Sequence, residues 1–139
     1  MIRMDKLTVK SREAVAQAHG LAESRNHPHM TPVHLLHALV TQRDGLVPAL
    51  LTKLGSSPEA VVRDVSLVLD RQPRVSGDVS VSVSSDVEKL LKVAAREADR
   101  LQDAFISVEH IFLAMFEVGG EVGELLRNAR LNAADALSA

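Results

Sequence analysis

The strongest constraint on the fold is an internal repeat, in which Ser107 follows Thr31 at the same offset as His110 follows His34. Apolar positions meet apolar positions, and both matched hydroxyls fall where a helix cap is needed. A unit that occurs twice and leaves an apolar face open is expected to pack against its copy. Further matched pairs are Thr8 with Ser84, Val15 with Leu91, Ala18 with Ala94, Ala22 with Ala98, Met30 with Ile106, Leu35 with Ile111, Ala38 with Ala114, Leu39 with Met115, Val40 with Phe116 and, after a slip of one residue, Leu50-Leu51 with Leu125-Leu126.

The pattern of the first copy predicts four helices. Apolar residues in 11–24 recur at the spacing of one helix face. Thr31-Pro32 supplies a cap and a first-turn proline for the second helix. The third helix is predicted over 46–54 with Gly55 after its end, and Ser57-Pro58-Glu59 starts the fourth.

The stretch 72–84 interrupts this helical pattern. It contains Pro73 and Gly77, followed by the alternation Val79-Ser80-Val81-Ser82-Val83. Alternation is typical of a strand, but no second strand pattern is present to pair with it, so we predict an extended connector. The expected fold is therefore all-α, a pseudo-two-fold duplication of a four-helix unit with about eight helices. It forms a single domain over 1–139, with repeat 1 at about 5–70, the connector at about 71–84 and repeat 2 at about 85–139.

Composition argues against several classes of function. The formal charge of −2 gives no electrostatic basis for binding nucleic acid. Three Phe, with no Trp or Tyr, make base-stacking surfaces and aromatic cages unexpected. The absence of cysteine excludes disulfides and thiolate chemistry. No window approaches the ~20 apolar residues of a membrane span, and Met1 to Lys10 lacks the apolar run of a signal peptide.

A metal site is the first alternative that the histidines raise. His27-Pro28-His29 and the pair His34 and His37 are close enough in sequence to supply ligands. No cysteine or acidic residue completes a set nearby, and His34 is matched by His110 close to a predicted helix start. We therefore expect a structural role in hydrogen bonding around the helix start, and no bound metal.

A stand-alone hydrolase is the second alternative. Such an enzyme needs a nucleophile, a base and an orienting group, but the chain has no G-x-S-x-G elbow and its serines cluster in the connector and at caps. It also has no G-x-x-x-x-G-K-[ST] phosphate loop. We expect no catalytic residues and no cofactor in these residues.

Five segments of the chain form a distinctive set by their order and spacing. They are Asp5-Lys6-Leu7-Thr8, Pro32-Val33-His34-Leu35-Leu36, Gly45-Leu46-Val47-Pro48 with Leu50-Leu51, Leu69-Asp70-Arg71-Gln72-Pro73-Arg74-Val75-Ser76-Gly77, and Phe105-Ile106-Ser107-Val108-Glu109-His110. Together with the duplicated four-helix plan, they resemble the Clp N-domain that precedes the ATPase rings of Clp/Hsp100 unfoldases, in particular the ClpB branch. One departure is Val33, where many relatives carry glutamate before the histidine.

The resemblance implies a substrate-recruiting domain of a cytoplasmic, heat-stress-related disaggregase. The full-length form is expected to be a homohexameric, ATP-driven protein with a coiled-coil insertion that works with the DnaK chaperone system. ATP and Mg would belong to ATPase domains downstream, and the isolated domain is expected to be monomeric. Its partners would be unfolded or aggregated polypeptides, not nucleic acid or membrane. An adaptor-docking N-domain of a Clp protease unfoldase, as in the ClpA or ClpC branch, is the alternative.

An apolar groove on the outer face of the helix after Ser85 is the expected site, because unfolded chains expose hydrophobic side chains. Val93 falls outside the core stripe of that helix, Leu91 lies at its margin, and Gln17 is the counterpart of Val93. An isolated surface valine is the alternative interpretation. The candidate substrate-binding residues are Leu91, Val93, Thr8, Ser84, Asp103 and Glu109.

Four of these candidates also have structural interpretations. Thr8 and Ser84 fit helix caps, with Ser85 and Glu88 as a competing capping box. Asp103 and Glu109 break the internal symmetry, because their counterparts are His27 and Val33. An aspartate in a loop and a glutamate in the first turn of a helix are ordinary by themselves.

Overall fold

The computed structural model describes residues 4–138 and contains eight α-helices in this part of the chain. Residues 1–3 and 139 of the expected domain lie outside the described residues. None of the helices has the length and apolar character needed to cross a membrane. The helices are α1 (Val9–Ser24), α2 (Pro32–Thr41), α3 (Leu46–Lys53), α4 (Pro58–Asp70), α5 (Ser85–Arg100), α6 (Val108–Val118), α7 (Gly120–Asn128) and α8 (Ala133–Ser138), joined by two short strands, β1 (His29–Met30) and β2 (Ser82–Val83).

The helix bounds follow the internal repeat. Both ends of α5 fall at the positions that match the two ends of α1, and α6 begins at the position that matches the start of α2. The register between the copies changes after α6, so that α7 and α8 follow α3 and α4 at slightly shorter offsets. The prediction of an all-α fold with about eight helices is confirmed.

The two second helices, α2 and α6, lie at the centre of the molecule. Helix α2 contacts helices of both halves, and α6 likewise packs against α1, α2, α3, α5, α7 and α8. A helix surrounded by others needs apolar residues around most of its circumference, which both sequences supply. Their buried residues are Val33, His34, Leu35, Leu36, Ala38, Leu39 and Val40 in α2, and Val108, His110, Ile111, Phe112, Ala114 and Met115 in α6.

Short backbone pairings connect the halves. Strand β2 runs parallel to β1, with Met30 opposite Val83, and a single parallel bridge joins Leu7 to Ile106. These two pairings are related by the offset of the repeat, so each half places one segment on the other. The prediction that the connector has no strand partner was wrong. A strand of two residues shows no alternation, which is why His29–Met30 gave no signal in the sequence.

The predicted helix boundaries have the expected chemistry. The Thr8 and Ser84 hydroxyls accept hydrogen bonds from the N–H groups of Ser11 and Val87, so both cap the long helices. Gly55 has a φ of +82° just after Leu54, the C-cap of α3, and the N–H of Ser56 donates back to the carbonyl of Leu51. This is the left-handed helix end that favours glycine.

Candidate functional site

An apolar groove lies beside Val93, between α5 and the end of α6. The cavity has a volume of about 690 Å³, and its apolar lining consists of Val93, Ala95 and Val118. All three side chains are partly buried against the core, so they are held in place but remain accessible. The charged residues around the groove are Lys89, Lys92, Arg96 and Glu117.

A second cavity, of about 400 Å³, continues the groove. Lys89 and Val118 line both cavities. The second cavity then runs along the starts of α2 and α7, where Pro32 and Val122 add apolar surface. Together the two cavities offer a path on which an extended segment or a short helix could lie.

Leu91 does not line either of these cavities. Its side chain is 7% exposed and belongs to the hydrophobic core, as does that of its counterpart Val15. Val93 is thus the member of the predicted pair that faces the groove, whereas Leu91 packs into the core on the inner side of the helix.

Thr8, Asp103 and Glu109 lie together at the opposite end of α6. The Thr8 N–H donates to the carbonyl of Ile106 (3.0 Å), and the hydroxyl of Ser107 donates to Glu109 (3.3 Å). Asp103 accepts a hydrogen bond from His110 (2.9 Å). Glu109 precedes Val118 by nine positions, which places it about 13 Å away along the helix axis. The structure therefore separates this cluster from the groove.

Ser84 is the counterpart of Thr8 at the start of the second repeat. Its backbone N–H donates to the carbonyl of Met30 (3.0 Å), which mirrors the bond from Thr8 to Ile106. Ser84 starts α5, and Asp86 and Lys89 in the first turns of that helix line the second cavity. Of the four polar candidates, Ser84 is the one at the groove end of α5.

The shared geometry of the two repeats explains His34 and His110. The N–H of Thr31 donates to Nδ1 of His34 (2.9 Å), and the N–H of Ser107 donates to Nδ1 of His110 (2.8 Å). Each ring thus closes a capping box from the third helical position, with histidine in place of the usual glutamate or glutamine. The predicted structural role at the helix starts is confirmed.

The second ring nitrogen distinguishes the two repeats. Because Nδ1 accepts, the proton of each neutral ring is on Nε2, which donates to Asp103 in one half and to Nδ1 of His27 in the other (both 2.9 Å). Burial, reinforced by His27, Arg25 and His37, lowers the pKa of His34 to about 4. Burial and the charges of Arg25 and Arg74 also lower the pKa of His27. In residues 4–138 no three histidine or acidic side chains form a group that could hold a metal ion.

Apart from Val93, sequence reasoning missed the residues that line the groove, among them Val118, Lys89 and Lys92. Val118 is the last residue of α6 and matches Gln42 at the same offset, so the same comparison that identified Val93 against Gln17 would have found it. Lys89 and Lys92 share the outer face of α5 with Val93 but look like an ordinary solvated face in the sequence.

A family comparison agrees with this architecture: residues 6–129 match the model of the Clp repeat (R) N-terminal domain. The chain therefore belongs to the Clp N-terminal domain family. It is 33% identical over 129 residues to the chaperone protein ClpB of Clostridium perfringens, an alignment that covers 88% of this chain and 15% of that protein. The chain thus corresponds to a small part of the length of such relatives.

Solved structures show the same fold. The Hsp104 N-terminal domain from Candida albicans has a TM-score of 0.80 at 17% identity, over 96% of this chain and 87% of that chain. A ClpV N-domain solved in complex with a VipB peptide has a TM-score of 0.72 at 22% identity, over 91% of this chain and 80% of that chain.

Proposed function

We propose that this chain is the substrate-recruiting N-terminal domain of a ClpB-type disaggregase, and that it binds unfolded or aggregated polypeptide in the groove beside Val93. The parent protein would be a cytoplasmic hexameric ATPase acting with a DnaK-type chaperone system. Its ATP-binding domains would lie outside this chain. The ClpB relatives support this branch over the adaptor-docking alternative, since they are 32–38% identical to this chain over most of its length.

The apolar groove is the observation that carries the proposal. Val93 and Val118 stand where the first repeat has Gln17 and Gln42, so the fold does not require apolar side chains there. Unfolded clients expose apolar side chains that a groove of this kind can cover. The ClpV N-domain, which has the same fold, has been solved with a peptide.

Weak binding suits a recruiting domain. The groove is small, and ordering a disordered client opposes binding, so we expect a Kd of about 1 μM or weaker, corresponding to ~8 kcal/mol or less. Several copies on one ring would raise the overall affinity while each copy still releases easily.

The remaining candidates have indirect places in this proposal. Ser84 fixes the start of α5 against Met30 and so positions the helix that carries Val93. Thr8, Asp103 and Glu109 form a second region at the start of α6, next to Phe105, whose side chain is 53% exposed. We assign this region to contacts beyond the groove, with the client or with the rest of the parent protein. Leu91 supports the groove from the core.

The test is an NMR titration of the ¹⁵N-labelled domain with a permanently unfolded client protein. We expect the amide signals of Val93, Val118 and their neighbours to shift, and the Val93→Glu variant to lose client affinity. A properly folded Val93→Glu variant with unchanged affinity would place the site elsewhere.

Leu67→Glu is the matched control. Leu67 is an exposed apolar residue on α4, 58% accessible, and it lines none of the cavities described above. The same substitution there introduces the same charge without entering the groove. Client affinity is expected to be retained in this variant, so that a loss confined to Val93→Glu identifies the groove.

A further inference from the structure

The charges around the groove show a feature that the overall composition hides. Lys89, Lys92 and Arg96 follow one another along α5 at intervals of three and four residues, so they share one edge of the helix. All three are exposed and line the cavity that contains Val93. The chain as a whole carries a formal charge of −2, so this positive edge is a local feature.

The two lysines have no ion-pair partner in residues 4–138. Glu117 is the acidic residue of the groove lining, and it pairs with Arg96 at 3.1 Å. Asp86 lies one turn before Lys89 on α5, and Glu88 lies one turn before Lys92, but neither forms an ion pair with a lysine in residues 4–138. The groove therefore offers two ammonium groups beside an apolar floor.

The first repeat shows that the fold does not require this edge. The residues that correspond to Lys89, Lys92 and Arg96 are Glu13, Ala16 and Gly20. Helix α1 has the same bounds in its own half and packs against α2 as α5 packs against α6. The lysines thus occur in the repeat that has the apolar groove, although both repeats contain the same packed pair of helices.

We infer that the groove selects apolar polypeptide segments that carry acidic residues, which would lie beside Lys89 and Lys92 while neighbouring apolar side chains cover Val93 and Val118. This rests on the proposed function and adds a charge preference to it. Complementary charge at the rim of an interface changes specificity and association rate more than it changes the total affinity. Asp86 and Glu121 line the adjoining cavity, so the preference is limited to the part of the groove beside Lys89 and Lys92 and does not extend along the whole path.

The experiment uses three fluorescent peptides of about 12 residues that share their Leu and Val positions and differ only in two sites, occupied by Glu, Gln or Lys. Fluorescence anisotropy at ~50 mM salt, where screening is weak, measures each Kd. We expect the Glu peptide to bind about tenfold more tightly than the Lys peptide, with the Gln peptide between them. Raising the salt to ~0.5 M should remove most of this difference.

The Lys89→Glu/Lys92→Glu variant should abolish or reverse the preference. Arg12→Glu makes the same kind of change on the exposed face of α1 and should leave it intact. Circular dichroism checks that each variant is folded. The salt dependence of the unsubstituted chain tests the charge preference without any substitution.

The outcomes separate this inference from the proposed function. Glu and Lys peptides that bind equally and shift the amide of Val93 would overturn the charge preference and leave the groove in place. Peptides that shift no amide near Val93 would overturn both. Displacement of the Glu peptide by single-stranded DNA as effectively as by unlabelled peptide would show a general anion surface and also overturn the inference.

Discussion

The Nε2 atom of His34 lies 2.9 Å from the Nδ1 atom of His27, and both rings are buried in the first half of the domain. In the second half the corresponding partner of His110 is the carboxylate of Asp103. A carboxylate can accept a bond from a charged imidazole, whereas a second imidazole in the same buried site opposes its protonation. The buried pair of His27 and His34 should therefore make the first half sensitive to acid.

We predict that acidification destabilises the domain through His34. Its pKa is about 4 in the folded state and about 6.5 when unfolded, so the unfolded state binds the proton first. Stability is fully present above pH ~6.5 and is lost as the pH falls towards 4, by about 2 kcal/mol at pH ~5. Urea unfolding at a series of pH values measures this loss. An unfolding free energy that stays constant between pH ~7.5 and ~5 would contradict it.

His27→Asp is the matched variant, because it gives the first half the pair found in the second. The new carboxylate would accept from Nε2 of His34 and favour its charged form. We expect the loss of stability between pH ~6.5 and ~5 to become smaller than in the unsubstituted chain. Two-dimensional NMR of the His34 ring should show its titration moving to higher pH. A titration that stays near 4 would contradict the assigned pairing.

Leu91 and Val93 should separate in a comparison of stability with binding. Leu91→Ala removes core contacts and is expected to lower the free energy of unfolding by about 2–4 kcal/mol. Val93→Ala, at a partly exposed position, should lower it by less than about 1 kcal/mol while weakening client binding. Urea unfolding and anisotropy on the same preparations provide both numbers. Equal losses of stability in the two variants would contradict the placement of Val93 outside the core.

The repeat made most of the fold predictable, because it constrains two halves at once. Thr8, Ser84, Thr31 and Ser107 were all identified as caps from their matched positions, and each begins a helix. Helix boundaries of this kind depend on local chemistry that the sequence displays. The strand pairing of the connector depends instead on two residues, His29 and Met30, brought to it by the packing of the halves.

The candidate site was less predictable for a different reason. Val93 could be found by comparison with Gln17, but the sequence could not show that Val118 approaches it from the end of α6. The same comparison selected Asp103 because it replaces His27. The structure shows that both residues occupy one position, as the hydrogen-bond partner of the capping histidine. A residue that differs between the two repeats can therefore mark a changed hydrogen-bond partner as readily as a binding residue.

Asp103 should contribute to stability through His110. Asp103→Ala leaves Nε2 of the buried ring without its acceptor, and we expect a loss of about 1–2 kcal/mol in the free energy of unfolding. Asp103→Asn retains an acceptor oxygen and should lose less. Urea unfolding at pH ~7.5 distinguishes the two variants. Equal losses in both would show that the charge of Asp103, and not its hydrogen bond, supports the fold.

Ser84 and Thr8 allow a last comparison, because they are matched residues that cap α5 and α1 in the two repeats. Each hydroxyl caps a long helix, and each backbone N–H bonds to the other half. Ser84→Ala and Thr8→Ala should therefore each lower the free energy of unfolding by about 1 kcal/mol.

Their effects on binding should differ. Ser84 positions the start of α5, whose outer face forms the groove, so Ser84→Ala is expected to weaken binding of the 12-residue Glu peptide in anisotropy measurements. Thr8→Ala should leave the affinity for this short peptide unchanged, because Thr8 does not line the groove. Ser84→Asn supplies another capping side chain and should restore both stability and affinity, since asparagine accepts the same backbone bond. A Ser84→Ala variant that loses stability but binds client normally would show that the cap supports the fold without setting the groove.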